Sequence, residues 1–125
     1  RDITEEFAAA ARKKGVENAQ LSMSVVVVRS EFCAAHPEKV AAFMQALEAS
    51  IAFANENVAE AAQEIAEQGI IASAAVAEKA LPSCSLVFIS GEEMQAQAAP
   101  LYDILFAANP ASVGGAAPAD DYYVK

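Results

Sequence analysis

The sequence predicts a helix-rich α/β fold in which helices pack on one small, incomplete mixed sheet. Three observations lead to this prediction. Alanine accounts for 31 of the 125 residues, and an alanine-rich chain without tryptophan favours close-packed helices over a β-sandwich. Apolar residues recur at helical spacing along much of the chain. Two apolar runs, at 21–29 and 84–89, are strand candidates, and the four β-branched valines of the first are typical of a buried strand.

The first helix and the first strand have clear local signals. Asp2 and Glu5 have the spacing of a capping box, and Gly15 follows a basic last turn, so a helix is expected between them. In the strand at 21–29, four valines at 25–28 follow one another without alternating polar residues, as in a strand covered on both faces. An isolated strand of this kind promotes aggregation, so we expect other strands beside it.

Four residues with helix-starting chemistry divide the middle of the chain: Ser30, Pro37, Ser73 and Ser90. Ser30 predicts a short helix over 31–35. The helix that begins at Pro37 carries one apolar stripe from Val40 to Ala54, and residues 55–57 end or bend it. A second stripe starts at Val58 and closes at Gly69.

The last third of the chain repeats this pattern. The helix after Ser73 stops near Ala80, because Pro82 forbids its continuation. The helix after Ser90 contains Pro100, which predicts a kink or a fresh start. Loop-forming residues follow from Asn109, and 121–124 is a candidate for a final short strand.

Charge and length exclude several classes of protein. The chain has 17 acidic and 8 basic residues, for a net charge of -9, whereas a nucleic-acid-binding protein needs a basic surface. No apolar run approaches the 18 residues or so of a membrane-spanning helix. The length fits one soluble unit over residues 1–125. Because the chain starts at Arg1 without a signal-peptide pattern, we expect a processed chain or a fragment.

Little in the sequence carries catalytic chemistry. His36 is the one histidine and lacks a nucleophile in a recognisable setting, so we expect no enzyme activity. Without a CxxC pair or a histidine cluster we expect no metal site, and we expect no cofactor. Cys33 and Cys84 lie in apolar patterns and are interpreted as small core residues, with a disulfide as the alternative in an oxidising compartment.

The one candidate binding segment is Ser22, Met23 and Ser24, directly before the valines. Its two hydroxyl groups can point into a cleft at the start of the strand. The alternative is that they make only local hydrogen bonds, as serines at a strand start often do.

Five motifs occur in order along residues 20–125. The first strand leads into an Arg-x-x-Phe turn, a Pro-Glu helix start and a long helix that ends in Ala-Asn-x-Asn; the residues are Arg29, Glu31, Phe32, Pro37, Glu38 and those at 54–57. Two more helices follow. The chain then closes on the pattern formed by Asn109, Pro110, Ser112, Val113, Gly114, Gly115, Pro118, Asp120, Tyr122 and Tyr123. In this order the motifs resemble the solute-binding proteins of bacterial ABC transporters, in the subgroup that binds nitrate, sulfonates such as taurine, and thiamine precursors.

The resemblance implies the carboxyl-terminal part of a longer protein with a type II periplasmic-binding fold. Residues 1–20 would be a linking helix, and 21–125 the return strand and the carboxyl-terminal helices. Pro100 and the alanines at 116–117 depart from the family pattern. The resemblance implies that both departures lie in the outer shell of the family's fold.

The resemblance also implies a function. The protein would be the extracytoplasmic component of an importer that captures a small polar solute and delivers it to an ABC permease. It would lie in the periplasm or at the bacterial cell surface, held by a lipid anchor on the missing part. Ser22, Met23 and Ser24 would then contact the solute near the hinge.

A second interpretation remains open. The chain would be a stand-alone helical interaction module, without a small-molecule ligand, that forms homo-oligomers. If no strands flank the valines at 25–28, two copies can pair their edges or exchange elements.

Overall fold

The computed structural model describes residues 2–17 and 19–124. Within them the chain forms six α-helices: α1 (Ile3–Lys13), α2 (Ser30–Ala35), α3 (Pro37–Glu56), α4 (Val58–Glu67), α5 (Ala74–Ala80) and α6 (Gly91–Ala108). Short 3-10 turns lie at Leu81–Ser83, Pro110–Val113 and Asp120–Tyr122. The predictions for residues 1–20 fall in part on Arg1 and Asn18, which lie outside the described residues, as does Lys125.

The predicted sheet is wrong. The described residues contain no strand, so neither the mixed sheet nor the type II periplasmic-binding fold is seen. Residues 21–29 and 85–89 are outside helices and turns but form no strand pairing with other described residues, and 121–124 begins in a 3-10 turn. The physical reason is that β-branched residues favour a strand only where a neighbouring strand supplies ladder hydrogen bonds and packing.

The helix signals, in contrast, are largely confirmed. The Asp2 carboxylate accepts hydrogen bonds from the backbone N–H groups of Thr4 (2.8 Å) and Glu5 (3.4 Å), as a cap at the start of α1 should. Pro37 opens α3, where a missing N–H costs nothing. After α4, Gly69 takes a φ of +70°, which a residue with a side chain adopts only with strain.

Some helix details differ from expectation. Ser73 and Ser90 occupy the capping positions of α5 and α6, but neither side chain makes a capping hydrogen bond. The short second helix begins at Ser30, so that Arg29 and not Ser30 occupies the capping position.

Residues 91–108 are helical throughout, so the fresh start at Pro100 is not seen, and the kink stays a prediction. A proline in a helix interior removes the hydrogen bond to the carbonyl four residues earlier, here that of Ala96.

The chain divides into two compact units, of which residues 27–88 form one. In this unit α4 packs against α5 and against α3. Its core consists of the buried residues Ala61, Ala62, Ala77 and Leu81, with half-buried apolar side chains around them. Alanines allow these short helices to approach closely, but they bury little apolar area for each residue.

The other unit consists of residues 1–26 and 89–125. Its buried apolar residues are Ala11, Ala19 and Tyr123. The backbone of Val124 accepts a hydrogen bond of 3.2 Å from the N–H of Gly91, so the end of the chain returns to the start of α6.

The longest helices in the described part of the chain are α3 and α6. Neither these two nor the shorter helices combine the length and hydropathy that crossing a lipid bilayer requires.

Candidate functional site

The predicted solute contacts lie on the surface. Ser22, Met23 and Ser24 follow α1 in a stretch of chain without regular structure, and all three are exposed, Met23 to 79%. Their role in binding a solute stays a prediction.

Residues 20–28, which we call the valine segment, continue directly from there. The chain runs through it without a turn or bend, and no hydrogen bond joins its backbone to another described residue. The four valines expose between 37% and 75% of their surface. The valine segment therefore offers both free backbone groups and apolar side chains.

A second apolar segment, at 85–89, is held at one point. The side-chain amide of Asn55, near the end of α3, donates a hydrogen bond of 3.0 Å to the backbone carbonyl of Leu86. Val87 is nevertheless 65% exposed. The segment starts at Ser85, whose φ of +50° is unusual for a residue with a side chain.

An apolar cavity of about 290 Å³ lies in the unit formed by residues 27–88. Apolar side chains make most of its wall: Ile51, Phe53, Ala54, Ala61, Ile65, Ile70, Leu81 and Leu86. Ser50, Glu64 and Gln68 contribute the polar part. Its lining is mostly apolar and includes one carboxylate, so this cavity can hold an apolar group.

Tyr102 in α6 lies near Tyr122 and Tyr123 at the end of the chain. The rings of Tyr122 and Tyr123 meet edge to face with centroids 5.5 Å apart. Burial raises the pKa of Tyr102 above its ordinary value, and the charge of Tyr122 and a hydrogen bond with it add to this effect. Burial, with the nearby Tyr102 and Tyr122, also raises the pKa of Tyr123.

His36 and the two cysteines lie in ordinary surroundings. The His36 ring is 5.0 Å from that of Phe32, and its Nδ1 lies 3.9 Å from a carboxylate oxygen of Glu38. Cys33 and Cys84 are both free thiols, and Cys84 is exposed, so its interpretation as a core residue is wrong. Across the described residues, no three histidine, cysteine or acidic side chains come together in a way that could hold a metal ion.

Comparison of the chain with family models, with curated proteins and with solved structures finds no match. The resemblance to solute-binding proteins therefore remains a prediction that rests on the order of its motifs.

Sequence reasoning missed the cavity and the tyrosine cluster. The cavity joins side chains from α3, α4 and the 3-10 turn after α5, which are distant in sequence and meet only through packing. For the tyrosines a signal did exist, since adjacent aromatic residues after a loop rich in small residues often anchor a chain end.

Proposed function

We propose that the chain belongs to the extracytoplasmic solute-binding component of a bacterial ABC importer, which captures a small polar solute and hands it to the permease. The observation that carries the proposal is the ordered set of motifs from Arg29 to Tyr123. The helix bounds support it, because α3 begins at the Pro-Glu motif and ends within the Ala-Asn-x-Asn motif. The proposal concerns function and does not restore the sheet.

The exposed apolar segments give further support. A chain that is one part of a receptor exposes the surfaces through which it meets the rest of that receptor. The valine segment and residues 85–89 have this character, with Val27 exposed to 75% and Val87 to 65%. In this proposal most of the chain is scaffold, and Ser22, Met23 and Ser24 supply its contacts to the solute.

Thermal unfolding of the chain with nitrate, taurine or an aminopyrimidine tests the proposal. A ligand that binds only the folded chain stabilises it by about 2.7 kcal/mol at a hundred times its Kd, and the melting temperature then rises by several degrees. The variants Ser22→Ala and Ser24→Ala should lose this rise. Ser83→Ala, which changes an exposed serine away from the segment, should keep it. Indifference of the chain to all three ligands would count against the proposal.

The proposed location has a separate test. Cell fractionation of a bacterium that produces the full-length protein tests this location. We expect the protein in the periplasmic or cell-surface fraction, held there by a lipid anchor. Recovery with the cytoplasmic fraction would contradict it.

The valine segment favours a second candidate, a helical interaction module that self-associates and needs no small ligand. Its specific support is the absence of any backbone partner for residues 20–28 among the described residues. The two candidates differ in the tests above, because the second predicts no response to any solute.

A further inference from the structure

We propose that two copies of the chain pair edge to edge along residues 22–28, antiparallel and centred on Val25. This inference deepens the second candidate function and rests on it. Each copy supplies the strand that the other lacks, so that the two segments form a two-stranded ribbon at a twofold axis.

The backbone of the valine segment is prepared for pairing. It runs without a turn or bend, and its N–H and C=O groups have no partner among the described residues. A row of free donors and acceptors on a β-favouring segment is a template for another strand. The backbone groups of the valine segment are therefore available for hydrogen bonds to a second strand.

Charge identifies a second copy as a suitable partner. The valine segment contains no charged residue, although the chain as a whole has a net charge of -9. Two such segments meet without like charges inside the ribbon, and short segments with high β-propensity and low charge pair with themselves readily.

The solvent-accessible surface of the chain is also larger than that of compact proteins of the same mass. From its mass of 13.0 kDa, two separate compact halves would expose about 7,700 Å² in total. The chain exposes 9208 Å², so about 1,500 Å² is in excess by this comparison. A partner in a standard interface buries about 800 Å². The excess over the whole chain is larger than the area that one partner of a standard interface buries.

The side chains favour the antiparallel arrangement and its register. In a strand alternate residues share a face, so pairing centred on Val25 places Met23, Val25 and Val27 of both copies on one face. That face is entirely apolar. The other face carries Ser22, Ser24, Val26 and Val28. A parallel ribbon in register would also place the two Arg29 side chains together, and like charges directly opposite are destabilising.

Sedimentation velocity of the full chain tests the pairing. We expect a dimer that forms as concentration rises. Val27→Lys should weaken it at least about tenfold, because a charge enters the apolar face. The matched control is Val76→Lys on α5, which changes a valine that is also exposed, to 56%, and should leave the dimer unchanged. Both variants should keep the circular dichroism of the helices.

Three outcomes would overturn the proposed pairing. They differ in whether they also contradict self-association as the function of the chain. A chain that stays monomeric at every concentration contradicts both the pairing and self-association as a function. A dimer that survives Val27→Lys contradicts the pairing but leaves self-association through another surface. Fibres without a discrete dimer contradict the closed twofold arrangement.

Cross-linking tests the register directly. In a chain whose native thiols are removed by Cys33→Ala and Cys84→Ala, Val25→Cys places two thiols opposite each other at the axis. Mild oxidation should then give a covalent dimer. Val28→Cys should not cross-link, because its two copies lie about 20 Å apart. Cross-linking of both variants alike would indicate a parallel ribbon and contradict the inference.

Discussion

At the scale of single residues, Ser85 carries an unusual backbone conformation. Its φ of +50° falls in the left-handed region, where the side chain of an L-residue meets the backbone. It directly precedes Leu86, whose carbonyl accepts the hydrogen bond from Asn55. The conformation of Ser85 therefore helps to set the course of residues 85–89.

The variant Ser85→Gly should stabilise the chain. Glycine adopts a positive φ without strain, but it loses more backbone entropy on folding, so we expect a net gain of about 1 kcal/mol in the free energy of unfolding. The control is Ser83→Gly in the neighbouring 3-10 turn, where φ is not positive and glycine should destabilise. Urea unfolding of both variants measures this, and equal effects would contradict the role of φ.

At the scale of elements, the sequence predicted the helices correctly, but the two strands that it predicted are not seen among the described residues. A helix makes its hydrogen bonds within one segment, so local residues such as Asp2 and Pro37 are enough to locate where it starts. A strand makes its hydrogen bonds to another segment. The valines at 25–28 show high β-propensity but carry no information on whether a partner is present.

The prediction of the solute contacts has the same limit, because it depends on a strand that needs a partner segment. The prediction for Ser22, Met23 and Ser24 depends on their position at the start of a strand, and the structure shows this stretch exposed and outside any strand. The cavity of about 290 Å³ depends on packing between helices, which no local motif encodes.

The variant Pro100→Ala should stabilise α6. Proline in a helix interior is about 3 kcal/mol less favourable than alanine, and its replacement restores a donor for the Ala96 carbonyl. We expect a gain of about 1–3 kcal/mol in the free energy of unfolding. Pro110→Ala, at the first position of a 3-10 turn where proline is tolerated, serves as the control and should change little. A loss of stability in Pro100→Ala would show that a bend there is needed.

The chain end should loosen at alkaline pH. The pKa values of Tyr102 and Tyr123 are raised in the folded chain, so their contribution to stability is fully present below the ordinary tyrosine pKa of about 10. Above it the unfolded chain releases these protons first, and stability falls as pH rises toward the folded values. Melting temperatures across this range should show the loss, with a smaller slope in Tyr102→Phe. An unchanged slope in that variant would contradict the assignment.

At the scale of the whole molecule, the chain has a small core and a large apolar surface. Among the described residues, five of the eight buried apolar residues are alanines, and no large side chain is fully buried. The helices also expose apolar side chains, among them Phe43 on α3 (51%) and Val76 on α5 (56%). These properties fit a chain that becomes stable through association, either with the rest of a receptor or with a second copy.

Residue-resolved amide hydrogen exchange tests this most directly, because it reports whether each backbone N–H has a partner. In dilute solution we expect residues 20–28 to exchange nearly as fast as an unfolded chain, while the interior of α4 is protected. Protection of residues 20–28 should then grow with protein concentration. Strong protection of this segment at the lowest concentration would mean that it already pairs within the chain, and would contradict an open valine segment.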